Sequence, residues 1–348
     1  MVFQESVREV RTRFHPILAG LVICDLLIMA SVCLAAGDKW TKRADIPTPR
    51  WAMSVSTVNG KIYAIGGSPN NNVGSSTVEE YDPVEDKWTK KSDMPTPRWF
   101  LSTSVVDGKI YAVGGVTNGW VHVSTVEEYD PVNDKWLEKA SMSRPRGLLS
   151  TNTVKGKIYA IGGISGGQVL SLVEEYDPST DTWTTKKDMP TPRYVLGTSV
   201  VDEKIFAIGG GQNDNNALST VEEYDPTTDT WTKKTDMPTN RFLFTTTEVN
   251  GKIYAIGGGQ SIHVKLSTVE EYNSRTDVWE RKTDMPEPRY GVLTSAVDGK
   301  IYAICGTKAF PMPVATVEEY TPEGWPFPVP VSSQNGLAAT WGKIKRGR

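Results

Sequence analysis

From residue 38 onward, short stretches in which apolar and polar side chains alternate are separated by glycine, proline and Asn-Gly or Asp-Gly pairs. A two-residue period places successive side chains on opposite faces of an extended chain, so each stretch reads as a strand. Ser54-Val55-Ser56-Thr57-Val58 is one, and Asn59-Gly60 after it favours the positive φ of a tight hairpin. Lys61 to Ile65 follows and ends in two glycines, which allow a backbone conformation or close approach that a side chain would block. Thr77 to Tyr81, closed by Asp82-Pro83, makes a third strand, and a fourth surrounds Trp88.

This four-strand unit recurs. Glu-Glu-Tyr stands at Tyr81, Tyr129, Tyr176, Tyr224, Tyr272 and Tyr320, 47 or 48 residues apart, and a tryptophan follows seven residues later at Trp88, Trp136, Trp183, Trp231 and Trp279. Met-Pro or a variant leads to Arg50, Arg98, Arg146, Arg193, Arg241 and Arg289. Eleven residues beyond each arginine, a lysine opens Lys-Ile-Tyr-Ala-Ile-Gly-Gly or a near copy. A period of this length with several short strands means a propeller. Small residues crowd the first strand of each unit (Ser102, Ser104, Ser150, Gly197, Ser199), as suits an innermost strand where blades converge on an axis.

Tyr-Ala-Ile-Gly-Gly, Glu-Glu-Tyr-Asp-Pro and the downstream tryptophan resemble the kelch repeat over residues 38–322. The resemblance implies an all-β, six-bladed propeller with four antiparallel strands per blade. It also implies that the loops joining strand four to one and two to three line one face that receives a ligand. Blade six departs from the pattern, with Cys305 for the first glycine and Thr321 for the aspartate. Asp38-Lys39-Trp40-Thr41-Lys42 is a fourth strand without a first three, while Trp325 is followed by Pro326, Pro328 and Pro330, which cannot donate to a ladder. The strand around Trp40 is therefore expected to complete blade six and close the ring, leaving 323–348 as a tail with a basic end.

Composition narrows the function. A net charge of -3 without blocks of either sign gives no footprint for nucleic acid. His15, His122 and His263 are scattered and no cysteine pair has metal-ligand spacing, so neither a metal nor another cofactor is expected. Arg8, Arg11 and Arg13 precede the apolar run Ile17 to Ala36, the shape of an export signal, and the run is long enough to remain as an anchor. Residues 1–36 are thus read as a signal peptide or signal anchor of an exported protein, with membrane contact only if the segment is retained. Cleavage would leave Cys305 as the single cysteine.

The repeated carboxylates and arginines invite a catalytic reading. Neighbouring glutamates in a strand diverge, so Glu79 and Glu80 cannot act together as acid and base, and a site needed once has no reason to occur six times. One glutamate of each pair is expected to meet a basic residue nearby. Arg50, Arg98, Arg193, Arg241 and Arg289 fit either salt bridges to those acids or a ring of cations for carboxylate or phosphate ligands. The following residue changes from blade to blade: Trp51, Trp99, Gly147, Tyr194, Phe242 and Tyr290. Five aromatics there either pack between blades or stack on sugars and anchor protein loops. Variation also concentrates in the loops joining strands two and three, which hold Trp120, His122, Asp214 and His263. Glu248 stands alone on an inner strand where other blades have Thr57, Val105, Thr153, Val200 and Ala296.

Two functions compete. The first is a non-catalytic module that binds a protein or glycan through the loop face. The second, suggested by similarity to exported kelch propellers of the sialic acid mutarotase type, is a sugar-acid enzyme using Glu248 for proton transfer and ring arginines for the carboxylate. A copper oxidase lacks its ligands, and the Ser-x-Asp-x-Gly-x-Thr-Trp motif of sialidases is absent.

Overall fold

A computed structural model describes residues 38–70, 72–213, 216–309 and 312–325. The expected export segment with Cys24 and Cys33, Asp214, and the tail beyond 325 lie outside the described residues.

Six four-stranded antiparallel sheets form the blades of a propeller. Blade one runs Ser54–Val58, Lys61–Ile65, Val78–Asp82 and Lys87–Lys90 from the axis outward, here called the inner, second, third and outer strands. The third strand starts one residue later than its sequence suggests. Thr77 is held outside it, its carbonyl accepting from the Gly66 amide, while Asp82 pairs with Lys87 and its carboxylate caps the Val84 and Glu85 amides. Blades two, three, five and six also carry a small two-stranded hairpin between the second and third strands, a feature the repeat did not announce.

The core is distributed between blades rather than concentrated at one centre. Between blades one and two, Val58, Tyr63, Ile65 and Val78 pack on Met94, Leu101, Ile110, Ala112 and Tyr129, and equivalent layers recur around the ring. Each second strand is covered on both faces, which explains its nearly unbroken apolar sequence. Burying one such Ile or Leu contributes about 1.5–3 kcal/mol.

The double glycine lets blades approach this closely. Gly66 has φ +67°, and a Cβ on it would lie 2.7 Å from the Arg98 carbonyl of the next blade.

The N-terminal strand completes blade six, as its sequence requires. Lys39–Arg43 pairs antiparallel with Val317–Thr321, with Trp40 opposite Tyr320 in the register that places Trp88 opposite Tyr81. The Trp40 and Tyr320 rings are 4.9 Å apart, against 5.0 Å for Tyr81 and Trp88. The Trp40 indole donates to Thr283 O at 3.1 Å, as Trp136 does to Ser92 O. Trp325 instead donates to Asp298 O outside the ladder.

Candidate functional site

One end of the propeller carries the connections from outer to next inner strand and from second to third strand, and the other carries the tight hairpins. At the loop end the sequence leaves the arginines open to two roles. Geometry assigns them to the frame. Arg50, Arg98, Arg146, Arg193, Arg241 and Arg289 are wholly buried. Arg98 donates to Glu127 at 2.6 Å, to Gly114 O at 2.9 Å and to Thr125 O at 2.8 Å, stitching together the second and third strands. Arg50, Arg193, Arg241 and Arg289 pair with Glu79, Glu222, Glu270 and Glu318 in the same way. Burial lowers the Arg98 pKa and Glu127 opposes that shift. A guanidinium so enclosed is not presented to a ligand anion.

The adjacent glutamate turns the other way, as strand geometry requires. Glu80 accepts from Tyr63 Oη at 2.6 Å and from Lys61 at 3.2 Å. Burial raises its pKa, but these donors outweigh burial and hold it below the usual carboxylate range.

The residues after the arginines are also turned inward. Trp51, Trp99, Tyr194, Phe242 and Tyr290 are buried, because each backbone bridges to the loop residue just after the double glycine, as Trp99 does to Val116, and the ring is carried under the loops. Tyr290 of blade six donates to Ser261 O in blade five, and a Cβ on Gly259 would sit 2.0 Å from its ring. Gly147 breaks the aromatic series for a steric reason: a Cβ there would lie 2.6 Å from Val116 Cγ2.

What these aromatics support is a surface the repeat analysis missed. The next position around the ring, Ala52, Phe100, Leu148, Val195, Leu243 and Gly291, adopts positive φ in all six blades. Backbone bonds link blade to blade there, including Phe100 N to Ala52 O, Leu148 N to Phe100 O, Val195 N to Leu148 O and Gly291 N to Leu243 O. The side chains form an apolar collar at the channel mouth around a cavity of about 100 Å³. The signal was present in the sequence as an apolar residue two places after most arginines, but its closure into a ring needs the fold.

Beneath the collar the channel is lined with hydroxyls. Ser54 and Ser56 hydrogen-bond Thr103 at 2.8 and 2.7 Å, Ser104 meets Thr151 at 2.9 Å, and Ser150 meets Thr198 at 2.6 Å. At the seam between blades six and one, Leu293 and Val55 join the buried layer instead, beside a Thr57 to Ser295 bond of 2.6 Å.

Glu248 is half-buried near the hairpin end of its inner strand, where its carboxylate caps the Gly251 amide at 2.6 Å. The arginines lie toward the loop end, so the fold does not bring Glu248 and an available guanidinium together.

The loops provide the exposed chemistry. Trp120 is 52% exposed and its ring packs 4.4 Å from that of buried Trp99, which contacts Trp51 and Phe100 in turn. Val73, Val121, Ile262, Val264 and Met312 are also exposed on loops of this face. His122 is half-buried, and burial lowers its pKa; His263 is exposed. Among the described residues, no group of three His, Cys, Asp or Glu side chains is arranged to hold a metal.

These features define a six-bladed kelch-type propeller. The model for the Attractin/LZTR1 beta-propeller matches residues 62–310, and the chain belongs to that family. No curated protein matches it. A solved structure titled "Structure of YjhT" is similar in fold, with a TM-score of 0.69 over 80% of this chain and 97% of that one at 16% identity.

Proposed function

We propose that the protein is a non-catalytic binding module that holds a protein or glycan on its loop face, outside the cytoplasm. The observation that carries this reading is the crown of exposed apolar side chains on the loops between second and third strands, Val73, Trp120, Val121, Ile262, Val264 and Met312, standing around the apolar collar. Six of the ten exposed large apolar side chains among the described residues stand on this face, and such a concentration favours association. The arginine-rich N-terminal flank and apolar run support export. The sugar-acid enzyme finds less support, since its proton-transfer group caps a turn and its cations are consumed by buried pairs.

The test is binding of the purified protein to a glycan array and to a displayed library of peptide loops, repeated with Trp120→Ala and Val121→Ser. Binding that those substitutions weaken at least tenfold is expected. Mutarotation of a sugar acid that disappears in Glu248→Gln would overturn the reading in favour of the enzyme.

A further inference from the structure

We infer that the axial well inside the collar is a receptor for one aliphatic side chain at the apex of a protein loop, flanked in the partner by a carboxylate. This inference rests on the loop-face reading and names the ligand class for it. The collar is unequal: blades two to five contribute Phe100, Leu148, Val195 and Leu243, whereas the adjacent blades six and one contribute only Gly291 and Ala52. That gap accounts for a cavity of about 100 Å³ in a ring otherwise filled by side chains. The walls are aliphatic apart from Phe100, Phe244 and Trp51, with Met53, Leu101, Leu149 and Leu196 below, so the well rewards removal of an apolar group from water and offers few polar partners to a hydroxylated sugar ring.

Cations on the loops of this face select the flank. Among the described residues of this face, Glu287 is already paired with Lys308, leaving Arg144, which donates to Gln168 at 2.8 Å, and Lys265, which donates to the Lys308 carbonyl. Both cations thus touch only neutral acceptors there, and a carboxylate on the same partner loop complements them.

A library of disulfide-closed seven-residue loops displayed on phage tests this, using the full protein as bait. Enriched loops should share Leu, Ile or Met at the apex and carry Asp or Glu elsewhere in the loop. Filling the well with Ala52→Leu and Gly291→Leu should weaken their binding at least tenfold, and Leu148→Ser should weaken it about as much by stripping the wall. The filling substitutions have precedent in the same fold, because Leu148 and Leu243 hold leucine at φ 56° and 50°, matching 52° at Ala52 and 55° at Gly291. Unchanged melting temperature and circular dichroism would show that the variants are folded.

Loops that bind the filled variant equally well, or that share no aliphatic apex, overturn the inference. Glycan binding without loop binding, or a homodimer that masks the well, also overturns it while leaving the loop-face reading intact. Absence of any ligand sensitive to Trp120→Ala and Val121→Ser sinks both.

Discussion

Cys305 and Ile46 replace, at the seam of the ring, the glycine and methionine that face each other across other blade interfaces. Where the glycine is kept, a Cβ would meet the methionine methyl: 2.8 Å at Gly114 and Met142, and 2.8 Å at Gly257 and Met285. Ile46 is shorter than methionine and shares a buried cluster with Cys305, which keeps the positive φ of 56° that glycine has elsewhere. The two changes therefore compensate.

Ile46→Met alone should overpack the site and cost about 1–3 kcal/mol. Cys305→Gly alone relieves the left-handed backbone but empties the space beside Ile46, for a net loss of about 1 kcal/mol. Together they should recover most of the loss, with a coupling of about 1–2 kcal/mol in a double-mutant denaturation cycle. Additive losses would show that the residues act independently. Burial also pushes the Cys305 thiol up to about 11. Iodoacetamide at pH 8 should accordingly spare the peptide containing Cys305 in the native protein and modify it after unfolding.

Glu287 opposes the ionised form of Glu318 in the buried pair of blade six. In blades one, two, four and five a threonine two residues before the arginine donates to the paired glutamate, as Thr96 does to Glu127 at 2.7 Å, while blade three has Arg144 there. Blade six has Glu287 in that place, and the Glu318 pKa is raised, chiefly by burial, against Arg289 and with Glu287 adding to it. A carboxyl whose folded pKa is raised binds its proton more tightly in the folded state. Its contribution to stability therefore falls as pH rises through the interval between the unfolded and folded values. Glu287→Thr should lift that burden where Glu318 is ionised, raising stability by about 1 kcal/mol at pH 7, with a Tm increase of about 2 °C. The gain should shrink toward pH 4 as Glu318 protonates. An equal gain at both pH values would locate the effect elsewhere.

The repeated Arg-Glu pairs bear on specificity more than on net stability. Arg98→Met leaves Glu127 as a buried charge without its cation and should cost about 3–5 kcal/mol. Adding Glu127→Leu removes the stranded charge, so the double variant should regain at least half of that loss despite lacking both members of the pair. Urea denaturation of the two variants measures this directly. A double variant as unstable as the single one would show that the carbonyl bonds of Arg98, rather than its charge partner, carry the contribution.

Repetition made the frame legible from sequence. Tyr81 with Trp88, the Asn59-Gly60 turn and the orphan strand around Trp40 each occupy the structural place their pattern implies, because strand period, turn chemistry and proline exclusion are local rules. The candidate site was less legible. Sequence numbering puts Trp51 and Trp99 next to variable loops but cannot show that bridges to Ser68 and Val116 turn their rings beneath those loops. The collar depends on residues about 48 positions apart becoming neighbours through blade-to-blade backbone bonds such as Phe100 to Ala52, a relation with no local signature. Glu248 stood out as a singular charge, and its use as a turn cap followed from its distance along the strand to Gly251 rather than from any catalytic partner.

Closure by the N-terminal strand predicts where the ring opens. Trp40 and Trp136 make equivalent contacts, each stacking on a third-strand tyrosine, at 4.9 Å in both cases, and each donating to a carbonyl of the preceding blade at 3.1 Å. Their tethers differ. Lys135–Lys139 joins its partner Val126–Asp130 through a short turn, whereas Lys39–Arg43 is separated from Val317–Thr321 by nearly the whole chain. A strand held by a short turn recloses against a small loop entropy, while the seam strand must find its partner across the completed ring. Trp40→Ala and Trp136→Ala should each cost about 2 kcal/mol globally from lost packing. Only Trp40→Ala should selectively accelerate amide hydrogen exchange in Lys39–Arg43 and Val317–Thr321, because local opening at the seam then falls well below global unfolding in free energy. Equal acceleration at the two sites, measured by mass spectrometry on fragments, would show that the ring unfolds without first parting at the seam.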